Sequence, residues 1–429
     1  MVVFRKSFLM LMPALTLIVG TGLVEVAAGH NWPPRIDLIV PLTAALTGPL
    51  VALFTLNIVA EGFDSVLVGT AAMLTAISTS TLYSLSLMQG ANGAFYQGIA
   101  VRHGYFVGAS FLALVIGGIL SRRLDEIRKY PFTLFGAAIV LTATTVVFGE
   151  TVNGARLWLR IGPIQFQPSE VARLLLAGFI AVYLYDHRHL VVAPWRVGPV
   201  DLPPAPYLLP LASAVLTAVA VLVFQNDLGM AALAVLGAFA SIAAVLSSRR
   251  SLGAAGAMLM IAAIASYAVT PRVRDRVAGW LEPWDDPIGR GFQFVQADYC
   301  LSAGGVFGPR QSAVAARVPE VHTDFILVGI ATQWGLIVAL AILALLSVLV
   351  CRCVSAALNA GGGFRSLLGL VIATLIGIQT LLILGGTLRA LPLTGLTVPL
   401  VSFGGTSMVS TLFALGVVAG VGTRAGKES

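Results

Sequence analysis

Long apolar segments separated by short polar ones dominate the hydrophobicity pattern of this chain. A transmembrane helix needs about 20 apolar residues, and about twelve segments approach that length. Uniformly apolar segments favour helices, whereas a membrane β-barrel would show a weak alternation of apolar and polar residues. The pattern therefore predicts an all-α fold, a polytopic transmembrane helical bundle. The predicted spans are Phe8–Val26, Leu38–Ala60, Ser65–Met88, Gly104–Leu120, Pro131–Phe148, Ser169–Tyr185, Tyr207–Phe224, Leu228–Leu246, Leu252–Val269, Asp324–Val350, Ser366–Leu388 and Val398–Val421.

Composition supports the same class. Charged residues make up 10% of the chain and hydrophobic residues 58%, with a mean hydropathy of +0.93. A soluble domain carries roughly 25% charged residues, so this composition is typical of a membrane protein. The first span follows Arg5 and Lys6 and lacks a convincing small-residue cleavage site. We therefore expect it to be retained rather than removed as a signal peptide.

Basic residues are concentrated in alternate loops, which predicts the orientation. Short cytoplasmic loops are rich in lysine and arginine, so twelve spans would place both termini in the cytoplasm. The net charge of +7 follows from these loops and gives no signal for a nucleic-acid partner. The residues predicted to be cytoplasmic are Arg122, Arg123, Arg128, Lys129, Arg188, Arg196, Arg249, Arg250, Arg352, Arg365, Arg424 and Lys427.

One long polar segment interrupts the apolar pattern between Trp280 and Asp324. It is mixed in charge and rich in glycine, and the predicted orientation places it outside the membrane. A much shorter loop would be enough to join two helices, and functional groups of membrane proteins often lie in loops of this kind. The three cysteines and five histidines show no disulfide framework and no metal-binding spacing. The carboxylates are therefore the remaining candidates for catalytic groups.

Three acidic positions on the predicted outer face are candidates, and each has a simpler structural explanation. Glu170 begins a helix after Pro168 and could merely pair with Arg173 one turn later. Asp227, in Q-N-D-L-G, is more readily explained as a helix cap. Asp286, in D-D-P-I-G-R-G-F-Q, could form an ordinary Asx-Pro turn, although its glycines would let a ligand approach the backbone. Several acids beside arginines on one membrane face are a stronger signal than any one of them.

Several sequence blocks occur in a characteristic order. They read Y-S-L-S, N-G-A-R-L-W-L, F-Q-P-S-E-V-A-R, Q-N-D-L-G, W-D-D-P-I-G-R-G-F-Q-F-V-Q, A-G-G-V-F-G, V-P-E-V-H-T-D-F and L-P-L-T-G-L-T-V-P-L-V-S-F-G-G-T-S. Together they resemble the SEDS family, the FtsW/RodA-type peptidoglycan polymerases. The resemblance covers Asp64 to Val421 and ten of the predicted spans. It implies two additional N-terminal transmembrane helices in 1–63 and a membrane core in 64–429 with a large extracytoplasmic loop, 271–323.

The resemblance implies a peptidoglycan glycosyltransferase in the cytoplasmic (inner) membrane of a bacterium. Such an enzyme polymerises lipid II into glycan strands at the outer face, with inversion and an undecaprenyl pyrophosphate leaving group. It also implies a class B penicillin-binding transpeptidase as partner, besides membrane lipids, and allows a divalent cation, Mg or Mn, as cofactor. A lipid II flippase would use the same polar groove without bond formation, and a scaffold would only position the transpeptidase. Retention of Asp286 favours the enzyme.

The resemblance also assigns site residues. The essential aspartate of the family falls on Asp286, which could act as a general base or as a ligand of the cation. Arg173, Arg156 and Arg290 are candidates for contacts with the departing pyrophosphate. The full set of implied substrate-binding residues is Glu170, Arg173, Asp227, Arg156, Arg290, Gln293, His322, Asp324 and Ser402.

The chain departs from the family pattern at a few positions. Ala297 stands where the family has serine, and Gln333 replaces a family carboxylate. Ile383 replaces an asparagine, while Arg173 keeps the positive charge of the family lysine. These changes leave the implied catalytic centre intact and allow a divergent or specialised paralogue.

Overall fold

The computed structural model is mostly helical. It describes residues 11–12, 14–15, 36–59, 63–86, 91–152, 154–162, 164–188, 195–197, 200–202, 205–245, 249–308 and 312–423. The longer helices are α1 (Ile36–Val59), α2 (Ser65–Ser86), α3 (Ala91–Leu120), α5 (Pro131–Phe148), α6 (Pro168–Asp186), α7 (Ala205–Phe224), α8 (Leu228–Val245), α9 (Arg249–Val269), α10 (Pro271–Leu281), α11 (Phe292–Gly304), α14 (Leu336–Leu358), α15 (Gly363–Thr387) and α16 (Gly405–Val421). The shorter ones are α4 (Leu124–Ile127), α12 (Ser312–Ala315) and α13 (Ile326–Trp334).

The long helices confirm the predicted membrane bundle. Seven of those in the described residues are long and apolar enough to cross a bilayer. Shorter apolar helices cover Leu209–Phe224, Leu228–Ala244 and Gly405–Val421. The predicted number of spans and the side of the termini stay predictions. The first predicted span, Phe8–Val26, and the end of the chain after residue 423 lie almost entirely outside the described residues.

Three predicted spans have the wrong boundaries. The segment predicted as one helix over Asp324–Val350 is broken at Gly335, whose φ of 88° ends α13 and begins α14. A left-handed residue cannot continue an α-helix, and glycine adopts this conformation at little cost. The span predicted to begin at Val398 begins at Gly405, because residues 398–404 form turns. Conversely, α3 begins at Ala91, well before the predicted Gly104.

Short strands accompany the helices. Strands β1 (Glu150–Val152), β2 (Ala155–Ile161) and β3 (Ile164–Phe166) form an antiparallel sheet between α5 and α6. Strands β4 (Trp195–Val197) and β5 (Val200–Leu202) form a second hairpin. The sheet between α5 and α6 matters for the site, because β3 leads directly into the helix that carries Glu170.

The chain divides into two compact units. The first comprises Met1–Leu124, Val295–Gly361 and Leu396–Ser429, and the second comprises Asp125–Phe294 and Gly362–Gly395. In the first unit α3 packs along α16 and α1. In the second unit α6 packs between α5 and α15, around a core that includes Phe179, Tyr183 and Leu211.

Candidate functional site

Glu170 and Arg173 form a buried ion pair in the first turns of α6. Pro168 occupies the start of this helix, where its missing N–H costs nothing. Arg173 Nη2 lies 2.9 Å from Glu170 Oε2, and both residues are at most 9% exposed. The Arg173 guanidinium also donates to the Gln379 side-chain oxygen on α15. The predicted helical pairing is confirmed, but its burial makes it far more costly to disrupt than a surface pair.

Asp227 lies beside this pair, in the turn between α7 and α8. Its Oδ1 accepts the Met230 N–H at 3.1 Å, so the predicted helix cap is confirmed. The Ser169 hydroxyl donates to Oδ2 at 3.5 Å, and the residue is only 7% exposed. Burial raises the pKa of Asp227 to about 6, and the Glu170 charge acts in the same direction. The structure thus brings Glu170, Arg173 and Asp227 together as one buried charge cluster.

Asp286 lies on an exposed turn between α10 and α11. Its carboxylate oxygens Oδ1 and Oδ2 accept the backbone N–H groups of Gly289 and Arg290, each at 3.0 Å. These hydrogen bonds, that of Arg290 first, hold the pKa of Asp286 below its usual value. The turn differs from the predicted Asx-Pro turn, in which the carboxylate would bind the N–H group two residues later. It also fixes an ionised carboxylate whose side chain remains 43% exposed.

The remaining predicted residues of the second unit occupy separate places. Arg290 Nε lies 3.6 Å from Asp286 Oδ2 and is half exposed. Gln293 is half-buried in the first turn of α11. Arg156 is exposed on β2, where its guanidinium donates to the Thr151 hydroxyl at 3.2 Å. Arg290 therefore adjoins Asp286, whereas Arg156 is held by its own sheet.

In the first unit, two hydrogen bonds join the turn that carries His322 to the turn that carries Ser402. The Phe403 N–H donates to the His322 carbonyl at 2.8 Å, and the Ser402 hydroxyl donates to the Thr323 carbonyl at 2.6 Å. The His322 ring packs edge-on against Phe95 and against Tyr96. Burial lowers the pKa of His322 more than the Glu320 charge raises it.

The same turn contains the last predicted residue of this set. Asp324 is half-buried, two positions before α13 begins. His322, Asp324 and Ser402 are thus carried by two adjoining turns, and Ser402 serves this arrangement through its hydroxyl bond to the backbone. We infer that the Ser402 hydroxyl is structural in this conformation.

The described residues do not form a complete site for a divalent cation. Within that part of the chain, no three histidine, cysteine, aspartate or glutamate side chains lie together as metal ligands would. Both carboxylate oxygens of Asp286 accept backbone N–H groups. A cation held by one carboxylate together with substrate phosphates stays a prediction, and we derive no catalytic step through it.

Sequence reasoning missed Ser169, Arg276 and Gln379. Gln379 is 1% exposed within the otherwise apolar α15, and a polar residue in such a segment is a recognisable signal of function or pairing. The Arg276 side chain acts electrostatically on Asp227 from α10. No local pattern in the sequence could have shown that interaction.

Comparison with known proteins identifies the family. The model of the FtsW, RodA and SpoVE family of cell cycle proteins matches residues 64–426. The chain belongs to this family. The matched region includes the buried charge cluster and the Asp286 turn, and the predicted resemblance is confirmed.

Curated relatives share this assignment. The peptidoglycan glycosyltransferase RodA of Mycobacterium tuberculosis is 30% identical over 365 residues, which cover 83% of this chain and 77% of that protein. The probable peptidoglycan glycosyltransferase FtsW of Geobacter metallireducens is 32% identical over 381 residues, covering 85% of this chain and 96% of that protein. The similarity to both branches extends over most of each protein.

Solved structures agree with the fold. A chain of a peptidoglycan synthase complex that coordinates polymerization and crosslinking superimposes with a TM-score of 0.69 at 31% identity, covering 86% of this chain and 99% of that chain. The rod shape determining protein RodA of Thermus thermophilus superimposes with a TM-score of 0.59 at 28% identity, covering 84% and 97% respectively. The family assignment therefore rests on sequence and on structure.

Proposed function

We propose that this protein is a peptidoglycan glycosyltransferase that polymerises lipid II into glycan strands. The observation that carries the proposal is the family match over residues 64–426, which includes an ionised Asp286 on an exposed turn. Relatives at 30% and 32% identity bear the name peptidoglycan glycosyltransferase or probable peptidoglycan glycosyltransferase. A buried charge cluster in the same unit supports a site built for chemistry near the membrane surface.

The reaction requires two kinds of protein group. A hydroxyl oxygen of the acceptor sugar forms a bond to the anomeric carbon of the donor, while the bond from that carbon to pyrophosphate breaks. The hydroxyl proton needs an acceptor, and the pyrophosphate leaves with the bonding electron pair. Inversion follows from attack on the face opposite the leaving group. Positive charge near the leaving oxygens stabilises the transition state.

Asp286 suits the acceptor side of this reaction. Its low pKa keeps it ionised at neutral pH, so it accepts hydrogen bonds and can orient the attacking hydroxyl. The same low pKa makes it a weak base in the ground state. We therefore place proton transfer to Asp286 late in the step, when bond formation has made the hydroxyl proton strongly acidic.

Arg290 suits the pyrophosphate side better than the other arginines. It is half exposed and only loosely paired with Asp286. Arg173, in contrast, is buried and already contacts both Glu170 and Gln379. Arginine forks bind phosphate oxygens in bidentate fashion, so Arg290 can contact the leaving group without dismantling the cluster.

The proposal includes location and partner. The enzyme lies in the cytoplasmic membrane with Asp286 on the outer face, and a class B penicillin-binding transpeptidase crosslinks its product. A reporter fused after Lys129 should read cytoplasmic, and one fused after Ser302 should read external. Both reporters on one side would contradict this orientation. Co-purification with a class B transpeptidase, against an unrelated single-span membrane protein, tests the partner.

Purified protein incubated with lipid II, with products separated on a gel, tests the reaction. We expect a ladder of glycan strands from the wild type and none from Asp286→Asn. The same protein in vesicles containing fluorescent lipid II tests the competing transport activity. Lipid II that crosses the bilayer without polymerising would overturn the proposal in favour of a flippase. Chelation followed by addition of Mg²⁺ or Mn²⁺ tests the cation requirement, which stays a prediction.

A further inference from the structure

The amphipathic helix α10 leads into the Asp286 turn. Its sequence, P-R-V-R-D-R-V-A-G-W-L, places half-buried side chains at Val273, Arg276, Val277 and Trp280, the spacing of one helical face. Arg274 lies on the opposite face and is exposed. Arg272 and Arg276 are therefore both half-buried and only Arg274 is exposed, although the three arginines of this helix look alike in the sequence.

Two side chains of that face bind the segment that follows α15. Arg276 Nη1 donates to the Thr394 carbonyl at 3.1 Å and lies 3.4 Å from that of Leu393. Trp280 Nε1 donates to the Arg389 carbonyl at 2.8 Å. These bonds hold the middle and the C-terminal end of α10, and backbone carbonyls are acceptors that local sequence changes do not remove.

The end of α10 also packs on the Asp286 turn. Gly279 is so close to the Arg290 carbonyl that an added Cβ would come within 2.5 Å of its oxygen. Arg290 is the residue whose N–H binds Asp286. A displacement of α10 would therefore be transmitted to the backbone that orients the Asp286 carboxylate.

Arg276 is at the same time a counter-charge for the buried cluster. Within the described residues, the charged groups that act on Asp227 are Glu170 of α6, which disfavours its ionised form, and Arg276 of α10, which favours it. The Ser169 hydroxyl and the Met230 N–H are its neutral partners. Arg276 thus acts on the buried cluster from the helix that leads to Asp286.

We infer that Arg276 is a positioning residue that couples the Asp227 cluster to the Asp286 turn. Its guanidinium binds the Leu393 and Thr394 carbonyls, so that α10 and the turn after it are held in one place, and its positive charge favours the ionised form of Asp227. The inference rests on the proposed function, because it assigns Arg276 a part in that reaction. The positioning role requires both the positive charge of Arg276 and the several N–H donors of its guanidinium.

Steady-state kinetics with lipid II test the positioning role. Arg276→Gln should lower kcat by about 10-fold to 10²-fold, because a displacement of about 1 Å can cost 10²-fold. Its KM should change little, since Arg276 does not itself contact substrate. Arg276→Lys should recover part of the loss, and Arg274→Gln, with the same change of charge on the exposed face, should stay within about twofold of wild type. Unchanged kcat in Arg276→Gln would overturn the inference.

The thermal midpoint of unfolding as a function of pH provides a readout without activity. Asp227 has a raised pKa in the folded state, so its ionisation should lower the Tm as the pH rises from about 4 to about 6. Without the Arg276 charge the pKa of Asp227 should rise further. The fall in Tm of Arg276→Gln should therefore continue to a higher pH than that of wild type, whereas that of Arg276→Lys should end where wild type ends.

These two readouts separate the inference from the proposed function. If the wild type makes no glycan but Arg276→Gln still extends the fall in Tm, the enzyme proposal fails and the placement of Arg276 stands. If Arg276→Gln, Arg274→Gln and wild type give superimposable Tm curves above pH 6, the Arg276 charge does not favour ionised Asp227. The inference would then be wrong whatever the enzyme does.

Discussion

Asp227 and Asp286 are the same side chain in opposite surroundings. Asp227 is buried between helices, and desolvation raises its pKa to about 6. Asp286 is exposed on a loop, and two backbone N–H groups lower its pKa. The buried aspartate resists ionisation and depends on neighbouring charges, whereas the exposed one is ionised by its own turn.

The contrast indicates a division of labour within the second unit. A carboxylate fixed by backbone hydrogen bonds and open to solvent can meet a substrate without rearrangement. A carboxylate packed against Ser169 and an ion pair can do little except organise its surroundings. We therefore expect mutations at the exposed turn to change the reaction rate, and mutations in the buried cluster to change stability as well.

The largest effect is expected for Asp286→Asn. General-base or acceptor groups typically contribute about 10²–10⁴-fold to a rate, and the amide also cannot accept both backbone N–H groups. Glycan synthesis should fall by that factor or below detection, while binding of lipid II is largely retained. Asp286 should also be ionised throughout pH 6–8, so the rate supported by wild type should show no titration of this group there.

Asp285 provides the matched control for this variant. It is exposed, carries the same charge and lies one position away. Asp285→Asn should keep most of the activity, because losing one surface carboxylate costs little. Near wild-type glycan synthesis by Asp286→Asn would show that the exposed turn is not catalytic, and the contrast with the buried cluster would lose its functional meaning.

Breaking the buried ion pair should have the next largest effect. Arg173→Ala and Glu170→Ala each leave an uncompensated charge inside the protein, which costs about 3–5 kcal/mol of unfolding free energy. Arg173→Lys should lose less, because it keeps the charge but replaces a fork by a single point. Unfolding in detergent and polymerisation of lipid II should be measured together. Equal losses for lysine and alanine would mean that the fork, rather than the charge, is required.

A smaller effect is expected for Gly289→Ala, which leaves every charge in place. A Cβ at this position would lie 2.3 Å from Asp286 Oδ2, so the carboxylate would have to move. The rate should fall by about 10²-fold at most, the cost of a misplacement of about 1 Å. Gly253→Ala is the control, because its Cβ would meet nothing within 4 Å. An active Gly289→Ala would show that the observed turn is not the reacting conformation.

The smallest effect is expected for Asp227→Asn in neutral buffer, where it should mainly change the pH dependence. The folded-state pKa lies above that of the unfolded chain, so ionisation destabilises the fold and the Tm of wild type should fall from about pH 4 to about pH 6. Asparagine does not titrate, and this fall should disappear. Polymerisation should decrease only moderately. A persistent fall would assign the titration to another group.

Local sequence signals predicted the individual turns and pairs of the site better than the contacts between them. The Asp227 cap, the Glu170–Arg173 spacing and the Asp286 turn are all short-range features, and each is present. The sheet between α5 and α6 also had a signal, since N-G precedes the alternating A-R-L-W-L-R-I of β2. The prediction of an all-α fold did not include this sheet.

The turn in the Q-N-D-L-G block contains an asparagine with an uncommon backbone conformation. Asn226 has a φ of 65° and donates its side-chain amide to the Gly154 carbonyl on the sheet. Asparagine tolerates this left-handed conformation. Proline could not adopt it. The hydrogen bond from Asn226 to the Gly154 carbonyl therefore joins this turn to the sheet.

The sequence by itself determined the membrane class, the family and the candidate carboxylates. The length of apolar segments, the positions of proline and glycine, and the ordered motifs are all properties of short stretches of sequence. Only the tertiary structure decided that Arg173 contacts Gln379, that Asp227 adjoins Glu170, and that Arg276 is turned inward while Arg274 is exposed. These contacts join residues far apart in the chain. Whether a carboxylate is desolvated or held by backbone N–H groups depends on which distant helices surround it, so its chemical state is a property of packing rather than of the motif.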